Sequence, residues 1–135
     1  MFKKAIFIIC LLLLALLIWD YLVKPLSLHR HIKLENVSEI MLWSEASGKD
    51  LATEEEIKNL VTWFNSASGV RENNSVPGEP PQSVIIIKQM NGKEILISRN
   101  ANRFDISRWD EHGRNIVYWA TQKELKNFLD KLAKQ

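Results

Sequence analysis

The chain has one cysteine, Cys10, in 135 residues. A single cysteine closes no intrachain disulfide and builds no multi-cysteine metal site. Cys10 lies inside an apolar run, so the remainder offers no thiol nucleophile. Histidine is scarce too: His29, His31 and His112. No third ligand of usable spacing follows His29 and His31, so the pair reads as a basic collar rather than a metal or pH-sensing site. His112 shares a turn with Asp110, and a hairpin tip seldom provides the concave surroundings that catalysis needs. No Gly-rich phosphate loop, nucleophile elbow or metal-ligand spacing is present. The sequence thus points to no catalytic residue, no metal and no cofactor, and the expected role is not enzymatic.

An excess of one charge is also lacking. Residues 26–135 hold fifteen Lys or Arg and fifteen Asp or Glu. The overall +2 comes from Lys3, Lys4 and Lys24 against Asp20. A neutral domain has no electrostatic footprint for nucleic acid. It also argues against a heparin-like or anionic-lipid patch. Asn36-Val-Ser38 and Asn73-Asn74-Ser75 fit the glycosylation pattern, which matters only in a eukaryotic host.

What is present is a long run without charge. Residues 5–19 read Ala-Ile-Phe-Ile-Ile-Cys-Leu-Leu-Leu-Leu-Ala-Leu-Leu-Ile-Trp. Carried on to Val23, the run is long enough as a helix to cross roughly 30 Å of hydrocarbon. Ala5, Leu12, Leu16 and Trp19 mark this membrane anchor, and Trp19 with Tyr21 suits the headgroup layer. A cleaved signal peptide would need small residues at its end, but Trp19-Asp-Tyr-Leu-Val-Lys24 is bulky or charged. A lipoprotein cysteine would close the apolar stretch, whereas Cys10 sits within it. We therefore expect an uncleaved single-pass anchor over residues 1–25, ended by Pro25. Lys3 and Lys4 place the N-terminus in the cytoplasm and the rest outside the cell membrane, although Lys24, Arg30 and Lys33 pull the other way.

Residues 26–36 read as a juxtamembrane connector and 37–135 as one extracytoplasmic α+β domain. Residues 37–44 form a strand, with Ile40 and Leu42 on one face and Met41 and Trp43 on the other. Residues 49–52 pair back as a short strand. Thr53-Glu-Glu-Glu56 is a capping box that opens a helix, and Ile57, Leu60, Val61 and Phe64 form its apolar stripe. Residues 70–82 hold Asn, Gly and Pro without periodicity and read as a loop. Residues 83–98 form a hairpin around Asn91-Gly92. A two-residue turn would face Ile86 with Ile97 and Ile87 with Leu96. Val84, Ile86, Ile95 and Ile97 would then share one face, with Ile85, Ile87 and Leu96 on the other. Both faces are apolar in the middle, so one can pack on helices and the other needs cover, for which a partner is one candidate. Residues 103–109 alternate, with Phe104 and Ile106 inward. Asp110-Glu-His-Gly113 turns the chain into a last strand over 114–120. Thr121-Gln-Lys-Glu124 reads as a second capping box, followed by the stripe Leu125, Phe128, Leu129 and Leu132. The expected fold is a small antiparallel sheet with two amphipathic helices on one face.

Arg99, Arg103, Arg108 and Arg114 fall near Trp109, Tyr118 and Trp119. Arg and aromatic residues dominate interface hot spots. The candidate partner surface is therefore Arg103, Arg108, Trp109 and Trp119, with the 70–82 loop beside it.

Phe104-Asp-Ile-Ser-Arg108, the Gly-containing turn and Val117-Tyr-Trp-Ala-Thr-Gln-Lys-Glu-Leu-Lys-Asn-Phe-Leu129 resemble the C-terminal part of small membrane-anchored proteins of Bacillus and relatives, the YfmQ type. The apolar start and the length are similar too. The resemblance implies a Gram-positive membrane protein of unassigned role and carries over no functional residues.

The expected function is binding: a membrane-anchored domain that takes a membrane or envelope protein, or another envelope component. An immunity protein or protease regulator is a variant of that reading. A homo-oligomer would use the double-faced hairpin. An envelope hydrolase would need paired carboxylates drawn from Glu94, Asp105, Asp110 and Glu111.

Overall fold

The computed structural model describes residues 2–74, 80–100 and 102–135. The middle of the expected 70–82 loop, and Ser75 of the second glycosylation pattern, lie outside those residues. The chain divides into two compact units after Arg30.

The first unit is helical over residues 2–28. Helix α1 spans Phe2–Ile18, a π-helical turn spans Trp19–Val23, and α2 spans Lys24–Leu28. Together Lys3–Leu28 is long and apolar enough to cross a membrane. Pro25 does not end the helix, contrary to the sequence expectation. Proline brings no N–H, and its ring collides with the carbonyl four residues back. The wide turn just ahead of it relieves both conditions. Lys24 N–H reaches back five residues to the Trp19 carbonyl. The helix then runs on until His29 leaves helical geometry, at φ −98° and ψ 73°.

The second unit is a seven-stranded antiparallel sheet with two helices. Its strands are β1 (Val37–Ser44), β2 (Gly48–Leu51), β3 (Ser68–Glu72), β4 (Ser83–Gln89), β5 (Glu94–Asn100), β6 (Arg103–Trp109) and β7 (Asn115–Thr121). Their order across the sheet is β2-β1-β4-β5-β6-β7-β3. Helix α3 spans Glu54–Asn65 and α4 spans Lys123–Leu132. The unit begins at His31, so the expected connector is split. Asn65 at the end of α3 clamps the Ile32 backbone, donating to its carbonyl and accepting from its N–H, both at 2.8 Å.

Both helices lie on one face of the sheet. The capping box forms as expected: Thr53 Oγ1 accepts from Glu56 N–H, and Glu56 accepts from Thr53 N–H. Leu60, Val61 and Phe64 of α3 are buried with Leu125, Leu129 and Leu132 of α4. Trp63 and Phe128 meet between the helices, with ring centroids 6.1 Å apart. Ser83 Oγ donates to the Leu129 carbonyl at 2.9 Å and ties α4 to β4. The second capping box does not form at Thr121. That residue belongs to β7 and donates its hydroxyl to the Ser68 carbonyl on β3. Gln122 caps α4 instead, accepting from Leu125 N–H.

The β4–β5 hairpin corrects the expected register. Its loop has three residues, Met90-Asn91-Gly92. Gln89 N–H donates to the Lys93 carbonyl and Gly92 N–H to the Gln89 carbonyl, each at 2.9 Å. Gly92 takes φ 80°, the left-handed position that ends such a loop. The pairs become Ile85–Ile97, Ile86–Leu96 and Ile87–Ile95. A shift of one residue moves a strand's side chains to the other face. Ile85, Ile87, Ile95 and Ile97 are therefore buried together beneath the helices. Val84, Ile86 and Leu96 share the face that the helices leave open.

Candidate functional site

Alternation along the strands gives the open face two rows, one across six strands and one across all seven. One is Leu51–Met41–Ile86–Leu96–Ser107–Val117, read neighbour to neighbour across β2, β1, β4, β5, β6 and β7. Five strand spacings make it about 24 Å long. The second row runs Lys49–Trp43–Val84–Ser98–Asp105–Trp119–Arg71. Leu96 in the middle of the first row is 39% exposed and Trp109 nearby is 47% exposed. Five of its six residues are apolar, Ser107 being the exception, and such a row on an uncovered sheet is unusual for a domain that stands alone.

The candidate partner residues separate between the two faces. Arg103, Trp109 and Trp119 lie on the open face. Arg108 does not: it is 7% exposed, with its guanidinium 5.9 Å from the Phe64 ring on the helix side. The alternation that turns Phe104 and Ile106 inward also turns Arg108 inward, so the signal was present in the sequence. Arg103 lies over the Trp119 ring at 4.3 Å. The Trp119 indole N–H is buried and has no acceptor among the described residues. Packing and the arginine hold this ring in place.

Sequence reasoning missed β3. It is short and exposed, and its pairing with β7 shifts between Ser68 and Arg71, so no clean alternation announces it. Its consequence is to bring Arg71 directly opposite Trp119.

The two outer strands are poor templates for adding another strand. β2 has four residues, and Asp50 Oδ1 accepts from Leu51 N–H at 2.8 Å. A side chain thus occupies a backbone donor along that edge, and short charged edges discourage pairing. β3 carries an irregularity and two charged residues. The edges are thus protected, and the exposed apolar side chains lie on the face.

The carboxylates proposed for hydrolysis are spread over β5, β6 and the turn after it. Glu94 opens β5, Asp105 lies in the middle of β6, and Asp110 and Glu111 follow β6 in a turn. Asp105 accepts from the Asn73 amide at 3.0 Å through one oxygen and from the Asn100 amide at 2.9 Å through the other. Asp110 organises its turn, accepting from the backbone N–H groups of His112 and Arg114 at 2.8 Å and from Arg114 Nε at 2.9 Å. Among the described residues, no three His, Cys, Asp or Glu side chains group to hold a metal.

The Arg114 backbone N–H is the largest cause that holds the Asp110 carboxyl below its usual range, followed among the lowering causes by the Arg114 side chain and the His112 backbone. A carboxyl lowered on folding adds stability above its unfolded pKa and loses it as the pH falls through the folded one. NMR titration of the Asp110 carboxyl carbon should give a midpoint below the ordinary Asp value of about 3.9. Asp110→Asn should remove that part of the acid sensitivity. A midpoint at or above the ordinary value would contradict the turn geometry. On β4, the hydrogen bond to Glu39 raises the Lys88 pKa.

The fold and the face together define a class: an α+β domain with an open apolar sheet face, carried behind a helix of membrane-spanning length. Compared with protein-family models, curated proteins and solved structures, the chain matches none of them.

Proposed function

We propose that this chain is a single-pass membrane protein that displays its α+β domain outside the cell membrane, where it binds a membrane or envelope protein. The observation that carries this reading is the uncovered row Met41, Ile86, Leu96 and Val117, bordered by Trp43, Trp109 and Trp119. Trp, Met and Arg are the residue types that interfaces favour. The α3–α4 layer satisfies the other face, so the open row is left for a second molecule. The basic pair Lys3 and Lys4 supports an outside location for the domain. The resemblance to YfmQ-type proteins fits the same setting.

The test is photo-cross-linking in intact cells with the full chain. A benzophenone side chain replaces Leu96 on the open face, or Lys58 on the exposed side of α3. Leu96 should yield one enriched membrane or envelope protein, and Lys58 should not. Equal yields from the two positions, or none from Leu96, would overturn the reading. Adducts between two copies of this chain would replace it with self-association.

A further inference from the structure

Arg71 and Arg103 differ from the paired cations of the domain. Arg114 pairs with Asp110, Arg99 with Asp130 and Lys88 with Glu39. Arg71 and Arg103 have no carboxylate partner among the described residues. They flank a single indole: Arg103 stacks on Trp119, and Arg71 is the cross-strand neighbour of Trp119.

The carboxylate opposite Trp119 in the register belongs to Asp105. It keeps its one negative charge while accepting from the neutral Asn73 and Asn100 amides, so two arginines face one anion and the cluster retains a surplus cation. The Arg103 guanidinium lies 4.3 Å from the Trp119 ring centroid, a cation–π contact that consumes none of its N–H donors. A guanidinium fork matches a carboxylate in two-point geometry. The apolar row runs directly alongside, with Val117 one alternation step from Trp119 on the same strand.

We infer that the open face takes an acidic, apolar polypeptide segment, with an Asp or Glu carboxylate seated at Arg103–Trp119–Arg71 and neighbouring apolar side chains along Val117, Leu96 and Ile86. The inference rests on the binding reading above and gives the partner its chemistry. A lipid surface fits less well. It calls for a broad cationic field, whereas Glu39, Glu94 and Asp105 share this face with the cations. Two arginines around one indole suit a single acid group.

The test uses the full chain in cells with the cross-linker at Leu96. Arg71→Glu with Arg103→Glu should cut the adduct at least about tenfold, because like charges then face each other. Lys58→Glu with Lys123→Glu makes the same change in net charge away from the face and should leave the yield within about twofold, a surface change expected to be near neutral. Arg71→Gln with Arg103→Gln should also lose adduct; it repeats the test without like-charge repulsion if the reversed protein melts early. Sequencing of the adduct should find Asp or Glu within a few residues of the cross-linked position. An adduct undiminished in both arginine variants overturns the acidic segment while leaving the binding function standing. An adduct to lipid, or to a segment without acidic residues, overturns it as well. No adduct from the unmodified face removes both.

Discussion

Arginine at both Leu12 and Leu16 should abolish the membrane anchoring proposed for this chain. The two positions are four residues apart on one side of α1, and both are more than half exposed. Each Leu, Ile or Phe at the centre of a spanning helix favours insertion by about 0.5 kcal/mol. Eleven such residues lie between Ile6 and Ile18, so the run supplies about 5 kcal/mol on that scale. Each central arginine opposes insertion by about 3 kcal/mol. Two of them, with two leucines lost, reverse the sign. Extraction at alkaline pH followed by centrifugation reads the result, with Trp19→Ala as a control that stays in the pellet. A double-arginine protein that pellets with the bilayer would show that α1 is not what holds the chain there.

Phe64→Ala should produce the largest loss of stability in the domain. Phe64 is fully buried on α3 and is among the largest core side chains. Phe-to-Ala changes in cores cost about 3–5 kcal/mol through lost transfer energy and the cavity left behind. Phe64 also lies beneath Arg108, and an arginine over an aromatic ring contributes about 0.5–2 kcal/mol. The total approaches the whole stability of a small domain, about 5–15 kcal/mol. Trp109→Ala, next to Arg108 but on the open face, should cost about 1 kcal/mol or less, since little of its packing is interior. Urea unfolding of the two variants measures the difference. Equal midpoints would mean that the helices do not cover the face on which Arg108 and Phe64 meet.

The two changes also separate roles that the sequence had joined. Arg108 and Trp109 are adjacent on β6 and both looked like surface residues. Strand alternation puts them on opposite faces, one against α3 and one toward solvent. Reading that alternation through from Phe104 was enough to divide them. The arginines Arg99 and Arg114 leave the expected cluster for a different reason. Each is paired with an aspartate, Asp130 on α4 and Asp110 in the turn, and only Asp110 is close in sequence.

Local chemistry by itself determined a good deal. An uncharged run of membrane length, a Thr-x-x-Glu cap ahead of a 3.6-residue stripe, and alternation along β1, β4, β6 and β7 act within a few residues of each other. They are legible wherever they occur, and they led to the α+β class, both helices and most of the sheet. Tertiary structure decided what these local signals leave degenerate. A third residue in the Asn91-Gly92 loop regrouped the isoleucines, putting Ile85 and Ile87 on one face with Ile95 and Ile97, because register depends on loop length rather than on composition. The pairing of β3 with β7 brought Arg71 to Trp119 from far along the chain. Asn73 reached Asp105 in the same way, across 32 residues, leaving one carboxylate to face two arginines. Hydrogen bonds between distant strands have no local signature, so the open face and its cationic end became visible only once the chain had folded.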